Sequence, residues 1–331
     1  MGARKNRRQA FNRQRQAGRF RRPAFSFGSA ALSLPRTVLR VRVAFWQSGP
    51  GKGSVTDLES VRARYAASFV RFGAPAEVAV APGSLGPVAG EWHRFSDEPR
   101  ALLYFHGGGF VAGSPESHRP LVTKLVAASG TSAFVPRYRL APEHPFPAAV
   151  RDGLDAYRGL IAHGIPPCSI LLAGDEAGGG LAFAVALAAR NAGLERPGGV
   201  AALSPWADLA LSGLSILGNR AHDSHIGWEQ LFLSARHYLR KTNPCDVYAS
   251  PAFASLKDFA PVMVHAGAQE ILRDDASKLG DRAAEAGVPV SVEIYDGMGH
   301  LFQADAKLGE AKVSLNRLGQ FIRTRTAVLA S

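Results

Sequence analysis

A run of three glycines is the first sign of chemistry in this sequence. The segment His106-Gly107-Gly108-Gly109-Phe110 directly follows a short apolar run. Because Gly107, Gly108 and Gly109 carry no side chains, a negatively charged oxygen can approach their backbone N–H groups closely. This favours an oxyanion hole, the set of donors that stabilises the charged intermediate of acyl transfer. A plain tight turn is the alternative.

A second glycine-rich segment, residues 174–180, has a side chain able to react at its centre. Glycines stand two residues before and two residues after Glu176, between an apolar run and a long apolar helical segment. This spacing is typical of a nucleophile elbow, a sharp strand-to-helix turn that holds one side chain out over a sheet. A serine is expected at its apex. The carboxylate of Glu176 cannot supply the hydroxyl that a serine mechanism needs.

A histidine near the C-terminus is the third candidate. His300 lies on a glycine-containing loop, residues 296–302, after an alternating apolar segment at 290–295. A lone histidine is more often structural, but a histidine at this place in the chain order fits the general base of a hydrolase.

The segment His222-Asp223-Ser224-His225 lacks a strong third ligand, so we predict no metal site.

The elements that must position these residues alternate between strand and helix. Apolar runs without polar alternation predict strands buried on both faces, at residues 101–105, 132–136, 169–173, 200–203 and 261–265. Helix-length segments lie at 117–129, 147–163, 177–192 and 275–287, and two strands of an antiparallel leading edge are predicted at 77–81 and 88–95. The pattern predicts an α/β class with a mostly parallel central sheet, in which ligands bind at the carboxyl ends of the strands.

Charge divides the chain into two parts. Of its 39 Lys and Arg residues, 13 lie in residues 1–56, where there is no acidic residue; the rest of the chain has 26 basic and 27 acidic residues. We predict a disordered basic arm at 1–54 and one domain at 55–331. Helices near 55–71 and 217–241 are expected to form a small cap. We expect the basic arm to bind nucleic acid or an anionic surface weakly. The alternative is that it has no binding partner.

Composition excludes several classes of protein. Two cysteines cannot form a disulfide framework, and apolar stretches such as Leu181–Ala189 are shorter than the roughly 18 residues of a membrane span.

We expect the protein to be cytoplasmic and able to form a homodimer. Arg21-Arg22 before a mildly apolar stretch gives export through a twin-arginine-like leader as the alternative.

Together with the segments Tyr138–Ala148 (YRLAPEHPFPA) and Ser204–Leu209 (SPWADL), these motifs resemble the hormone-sensitive-lipase type of carboxylesterase, α/β-hydrolase fold 3. The likeness extends from about residue 77 to 322. It implies the α/β-hydrolase fold, a small acyl- or ester-like ligand and ester hydrolysis without a cofactor. It also implies an oxyanion hole from Gly107, Gly108 or Gly109 together with the N–H of Ala177.

Two positions depart from the pattern of that family. The family resemblance implies Ser where this chain has Glu176. It implies an Asp, in a segment similar to Gly-Ser-Asp-Glu, where this chain has Gln269 in Gly267-Ala268-Gln269-Glu270. Glu270, Asp274 or Asp275 are alternatives for the acid that orients the base. By this comparison only His300 is unchanged, so the catalytic triad is degenerate.

These departures lead to competing predictions of function. We expect the carboxylate of Glu176 to accept the oxyanion-hole N–H groups, and to favour a protonated His300, which rules against ordinary serine-esterase catalysis. One alternative is a non-catalytic protein that binds a small ligand. A second is an epoxide-hydrolase-like enzyme in which Glu176 is the nucleophile and His300 activates water. In a third, Glu176 or His300 directs a water at an ester carbonyl.

Overall fold

A computed structural model of the chain describes residues 58–68, 78–305 and 307–327. The predicted basic arm lies outside the described residues. None of the helices in these three ranges is both long enough and apolar enough to cross a membrane.

One eight-stranded sheet forms the centre of the molecule. Its strands are β1 (Ala79–Leu85), β2 (Val88–Arg94), β3 (Ala101–Phe105), β4 (Ala133–Pro136), β5 (Ile170–Asp175), β6 (Gly199–Leu203), β7 (Val262–Gly267) and β8 (Val290–Tyr295). They lie in the order β1-β2-β4-β3-β5-β6-β7-β8. Only β1 pairs with β2, and β2 with β4, in the antiparallel direction; the other pairs are parallel. The predicted mostly parallel sheet with an antiparallel leading edge is confirmed.

Helices cover both faces of this sheet. They are α1 (Leu58–Ser68), α2 (Pro115–Ser129), α3 (Ala148–Ala162), α4 (Glu176–Asn191), α5 (Ser215–Gly218), α6 (Trp228–Leu239), α7 (Arg273–Glu285) and α8 (Gly309–Thr326). Successive residues of β3 point to opposite faces, because side chains alternate along a strand. Leu102 and Tyr104 pack with α2 and α8, whereas Leu103 and Phe105 pack with α3, α4 and α7.

The sequence prediction differs from the structure mainly at the C-terminus. Helix α8 was not predicted, although Leu315, Leu318 and Ile322 recur at helical spacing and are buried against the sheet. Helices α1 and α6 lie within the two ranges predicted for the cap. Val61 is the only buried residue of α1.

Candidate active site

The turn between β5 and α4 places Glu176 at the apex of an elbow. β5 ends at Asp175 and α4 begins at Glu176, whose φ is +48°. A non-glycine residue in this region is strained and is held there by its surroundings. Gly174 and Gly178 allow the sharp turn, because a Cβ at either position would collide with the carbonyl oxygen of Phe105 on β3.

The carboxylate of Glu176 binds the glycine-rich loop that follows β3. Its Oε2 accepts hydrogen bonds from the N–H of Gly108 at 2.5 Å and from that of Gly109 at 2.9 Å. Both glycines have positive φ, +120° and +60°, so the loop turns consecutive N–H groups toward the same point. Glu176 itself is buried, with 4% of its surface exposed. A carboxylate oxygen thus lies where an oxyanion hole would hold a substrate oxygen.

The third glycine of the loop has a different partner. The N–H of Gly107 donates to Asp175 Oδ1 at 3.1 Å, and Tyr104 Oη donates to the same oxygen at 2.7 Å. Asp175 Oδ2 lies 3.3 Å from Nε2 of His118. Burial acts to raise the pKa of Asp175, but the charge and hydrogen bond of His118 and the hydrogen bond of Tyr104 lower it. Gly107, predicted as a possible donor, therefore holds the loop to β5 instead.

Ala177, the remaining predicted donor, is fully buried in the first turn of α4. Backbone N–H groups of a first turn have no acceptor within their own helix. Its role as an oxyanion-hole donor, which the family resemblance implies, stays a prediction.

The base position and an acid lie together beyond β7 and β8. His300 Nδ1 is 3.0 Å from Oε2 of Glu270, and Glu270 Oε1 accepts the N–H of Gly267 at 3.2 Å. Glu270 is fully buried, whereas Gln269 is exposed and its backbone N–H donates to Met298 O at 3.0 Å. Of the two residues predicted for the acid position, Glu270 is thus the one that contacts the histidine.

The other two carboxylates considered for this role face elsewhere. Asp274 Oδ2 accepts the N–H of Ser215, and Asp275 Oδ2 accepts the N–H groups of Ala207 and Asp208, each at 2.8 Å. They join α7 to the start of α5 and to the loop that follows β6, and neither forms a hydrogen bond with His300 in the described part of the chain.

Charges around His300 favour its protonated form. Burial acts to lower the pKa of His300, but the hydrogen bond and charge of Glu270, followed by the charges of Asp223 and Glu176, raise that pKa to about 9. Burial also raises the pKa of Glu270, against the hydrogen bond and charge of His300, which lower it.

In the sequence, Asp223 was considered only as part of a metal site. Its carboxylate accepts the backbone N–H groups of His225, Ile226 and Ile271, and no group of three His, Cys, Asp or Glu residues in the described ranges could hold a metal ion.

Glu176 and His300 influence each other without direct contact. Among the ion pairs of the described residues, all with N···O distances of at most 4.0 Å, none joins these two side chains. The site therefore presents an anchored carboxylate on the turn after β5 and, after β8, an imidazole whose protonated form is favoured by its neighbours. No hydroxyl stands at the apex of the elbow.

Two helices border this site. On α6, Ser234 lies against Gly109, so closely that a Cβ at Gly109 would be 2.8 Å from Ser234 Oγ. Tyr238, also on α6, stacks on Phe110 with 3.9 Å between ring centroids. On α1, Tyr65 lies near the elbow: burial first, and then the charges of Glu176 and Asp175, raise its pKa.

Comparison with known proteins agrees with this geometry. Residues 102–304 match a family model, Abhydrolase_3, described as an alpha/beta hydrolase fold. The chain belongs to this α/β-hydrolase family. An acetyl-hydrolase of Streptomyces hygroscopicus is 38% identical over 275 residues, 82% of this chain and 91% of the relative. An esterase of Acinetobacter venetianus is 35% identical over 247 residues, 74% and 82% of the two chains.

Solved structures of the same family superpose well on this α/β-hydrolase. A crystal structure of EstE5 soaked with p-nitrophenyl butyrate has a TM-score of 0.80 and 37% identity, and the match covers 86% of this chain and 97% of that chain. An esterase from the bacterial hormone-sensitive lipase family also has a TM-score of 0.80, with 35% identity over 83% and 94% of the two chains. The ancestry of this chain is esterase-like.

Proposed function

We propose that this chain uses an esterase-type site to bind a small acyl- or ester-like ligand and does not perform serine acyl transfer. One observation carries the proposal: a single oxygen of Glu176 accepts both Gly108 and Gly109 N–H groups. A substrate carbonyl oxygen would have to displace a charged oxygen from these donors. The names of the relatives, an acetyl-hydrolase and esterases, support the choice of ligand class.

Two further features support the absence of ordinary catalysis. The apex of the elbow offers no hydroxyl for attack on a carbonyl carbon. Glu176 is also one of the charges, with Glu270 and Asp223, that raise the pKa of His300, so its carboxylate favours the imidazolium over the neutral ring that a general base needs. Loss of one member of a serine triad alone costs roughly 10⁴ to 10⁶ in kcat.

The proposal is tested by turnover of p-nitrophenyl acetate and p-nitrophenyl butyrate by the purified full chain. We expect rates no higher than those of the His300→Ala variant, with binding of the non-hydrolysed ester ethyl butyrate detected by ligand-observed NMR. Turnover by the unaltered chain that His300→Ala abolishes would contradict the proposal.

A second candidate function uses the carboxylate of Glu176 and the imidazole of His300. In this mechanism a Glu176 carboxylate oxygen attacks an epoxide carbon, the ring C–O bond breaks, and the ring oxygen takes a proton from His300. Water then adds to the resulting enzyme ester, its proton returns to His300, and the diol leaves with Glu176 restored. The charge of Glu176 contributes to the raised pKa of His300, so the two groups lie close enough to influence each other, as this mechanism requires. The glycine-rich loop, which suits acyl chemistry, weighs against it.

Isotope incorporation distinguishes this mechanism. A single turnover of styrene oxide in ¹⁸O-water places the label in the Glu176 carboxylate if the ester forms. Absence of both label and diol excludes the mechanism.

A further inference from the structure

Helix α1 lies beside the elbow, and few of its residues are buried. Of its 11 residues only Val61 is buried; Leu58 and Tyr65 are partly buried, and Tyr65 packs against both apolar clusters of the core. Such a small buried area stabilises the docking of a helix weakly. A polar contact that binds α1 to the rest of the site therefore has a large influence on its position.

Arg62 makes one such contact. Its Nε donates to Val111 O at 2.8 Å, and Nη2 donates to Ala141 O at 3.2 Å. Nη1 and Nη2 also donate to the two carboxylate oxygens of Glu143, each at 2.8 Å. A partly exposed ion pair alone contributes little, but the planar guanidinium here joins three separate acceptors in a fixed geometry.

These acceptors belong to the segments that shape the glycine-rich loop. Val111 follows Gly109 by two residues, and its N–H donates to Gly108 O. Ala141 N–H donates to Phe110 O at 2.9 Å, and Tyr138, in the same segment as Ala141 and Glu143, donates its hydroxyl to His106 O at 2.7 Å. Through Arg62, α1 is therefore bound to Val111, just after the loop whose N–H groups bind Glu176, and to the segment that contacts Phe110 and His106 of that loop.

The same helix reaches the elbow from its other side. The ring of Tyr65, three residues after Arg62, lies 6.1 Å from the ring of His118, the partner of Asp175. We propose that Arg62 is a positioning residue that holds α1 against the glycine-rich loop and thereby limits access of ligands to Glu176. This inference goes beyond the proposed function, since it concerns access to the site whether or not the site turns over a substrate.

Hydrogen exchange of the full chain tests the positioning role. In Arg62→Ala we expect amides of residues 58–68 to exchange about tenfold faster or more, with no change in β5 or α4. Arg62→Lys should give an intermediate rate, because one ammonium cannot reach Val111 O and both oxygens of Glu143. The matched control is Arg139→Ala, which removes another bidentate pair, with Asp152, that does not touch α1. Exchange of 58–68 within twofold of the unaltered chain in Arg62→Ala would overturn the proposal.

Alkylation of a thiol at the elbow tests access. Cys168 and Cys245 are exposed and are first replaced by Ser; Glu176→Cys then supplies a single buried thiol. We expect iodoacetamide to modify this thiol about tenfold faster when Arg62→Ala is added, and at an unchanged rate when Arg139→Ala is added. Glu143→Gln, which leaves both carbonyl contacts in place, serves as a milder variant and should give a smaller increase. Faster exchange of α1 without faster alkylation would overturn the proposal, and circular dichroism confirms that each variant is folded.

Discussion

The side chain of Glu176 is long enough to turn back from the apex of the elbow and reach the loop after β3. It does so from a backbone with φ of +48°, a conformation that the surrounding glycines and the close packing of α4 on β3 impose. A serine hydroxyl at the same place would end short of the Gly108 and Gly109 amides and leave them open. A glutamate at this position thus both removes the nucleophile and occupies the N–H donors that a substrate oxyanion would need.

The pairing of His300 with Glu270 gives a prediction at the level of single residues. In Glu270→Gln the charge and the charge-assisted hydrogen bond are lost, so burial prevails and the pKa of His300 should fall from about 9 to 6.5 or lower. The measurement is an NMR titration of the His300 ring signals. Gln269→Ala is the control and should leave the pKa near 9, because that side chain is exposed. A lower His300 pKa in Gln269→Ala than in Glu270→Gln would refute the assignment of Glu270 as the acid that pairs with His300.

The sequence could locate this acid only to within one residue. Counting from the end of a strand does not determine how the following turn is wound, and neighbouring residues there point in different directions. Met298 O accepts the Gln269 N–H, and this contact with the His300 loop turns Gln269 outward and Glu270 inward. Such a contact between distant segments leaves no local sequence signal. In contrast, His300 and Glu176 follow from glycine spacing and chain order.

At the level of elements, the glycines of the elbow give a second prediction. A Cβ at Gly178 would collide with the backbone carbonyls of Phe105 and His106, so α4 would have to move away from β3. Gly178→Ala is expected to lower the free energy of unfolding by about 1–3 kcal/mol in urea denaturation. Gly218→Ala, where nothing lies within 4 Å of the new Cβ, should change it by no more than about 0.5 kcal/mol. Equal effects of the two substitutions would contradict the close-packed elbow.

Strands and helices were the most predictable part of the fold. Continuous apolar runs identify β3, β5 and β6, because strands buried on both faces have no polar side to interrupt the run. Helix α8 was missed because its exposed face is rich in polar and charged residues, which dilute the spacing of Leu315, Leu318 and Ile322. The Arg62 contacts join residues 49 to 81 positions apart and could not have been found without the structure.

For the whole molecule, the raised pKa of His300 predicts a pH dependence of stability. The folded chain keeps a proton on His300 up to about pH 9, whereas the unfolded chain loses it near 6.5. This contribution is fully present below pH 6.5, falls as the pH rises to about 9, and is then lost; it amounts to roughly 3 kcal/mol. Urea denaturation at pH 6 and pH 9.5 measures it, and His300→Gln, which removes the titration of His300, is the reference. An equal loss of stability in both chains would contradict the prediction.

The excess positive charge of the whole chain lies near its N-terminus, and the binding that we infer from it stays a prediction. The basic residues 1–54 lie outside the described residues, and their binding to nucleic acid or an anionic surface rests on composition alone. The body, with 26 basic and 27 acidic residues after residue 56, has no comparable excess. We therefore expect a chain starting at residue 55 to lose affinity for a heparin column that the full chain retains at low salt. Equal retention of both chains would show that the body itself binds polyanions.

The most direct test of the account is the esterase activity of three chains that differ only at residue 176. If the carboxylate of Glu176 is what prevents acyl transfer, Glu176→Ser should exceed the unaltered chain in kcat/KM for p-nitrophenyl butyrate by roughly 10⁴-fold, the scale of a restored triad member. Glu176→Ala, which frees the N–H groups of Gly108 and Gly109 without adding a hydroxyl, should show no comparable gain in kcat/KM. Hydrolysis by the unaltered chain as fast as by Glu176→Ser would contradict the account.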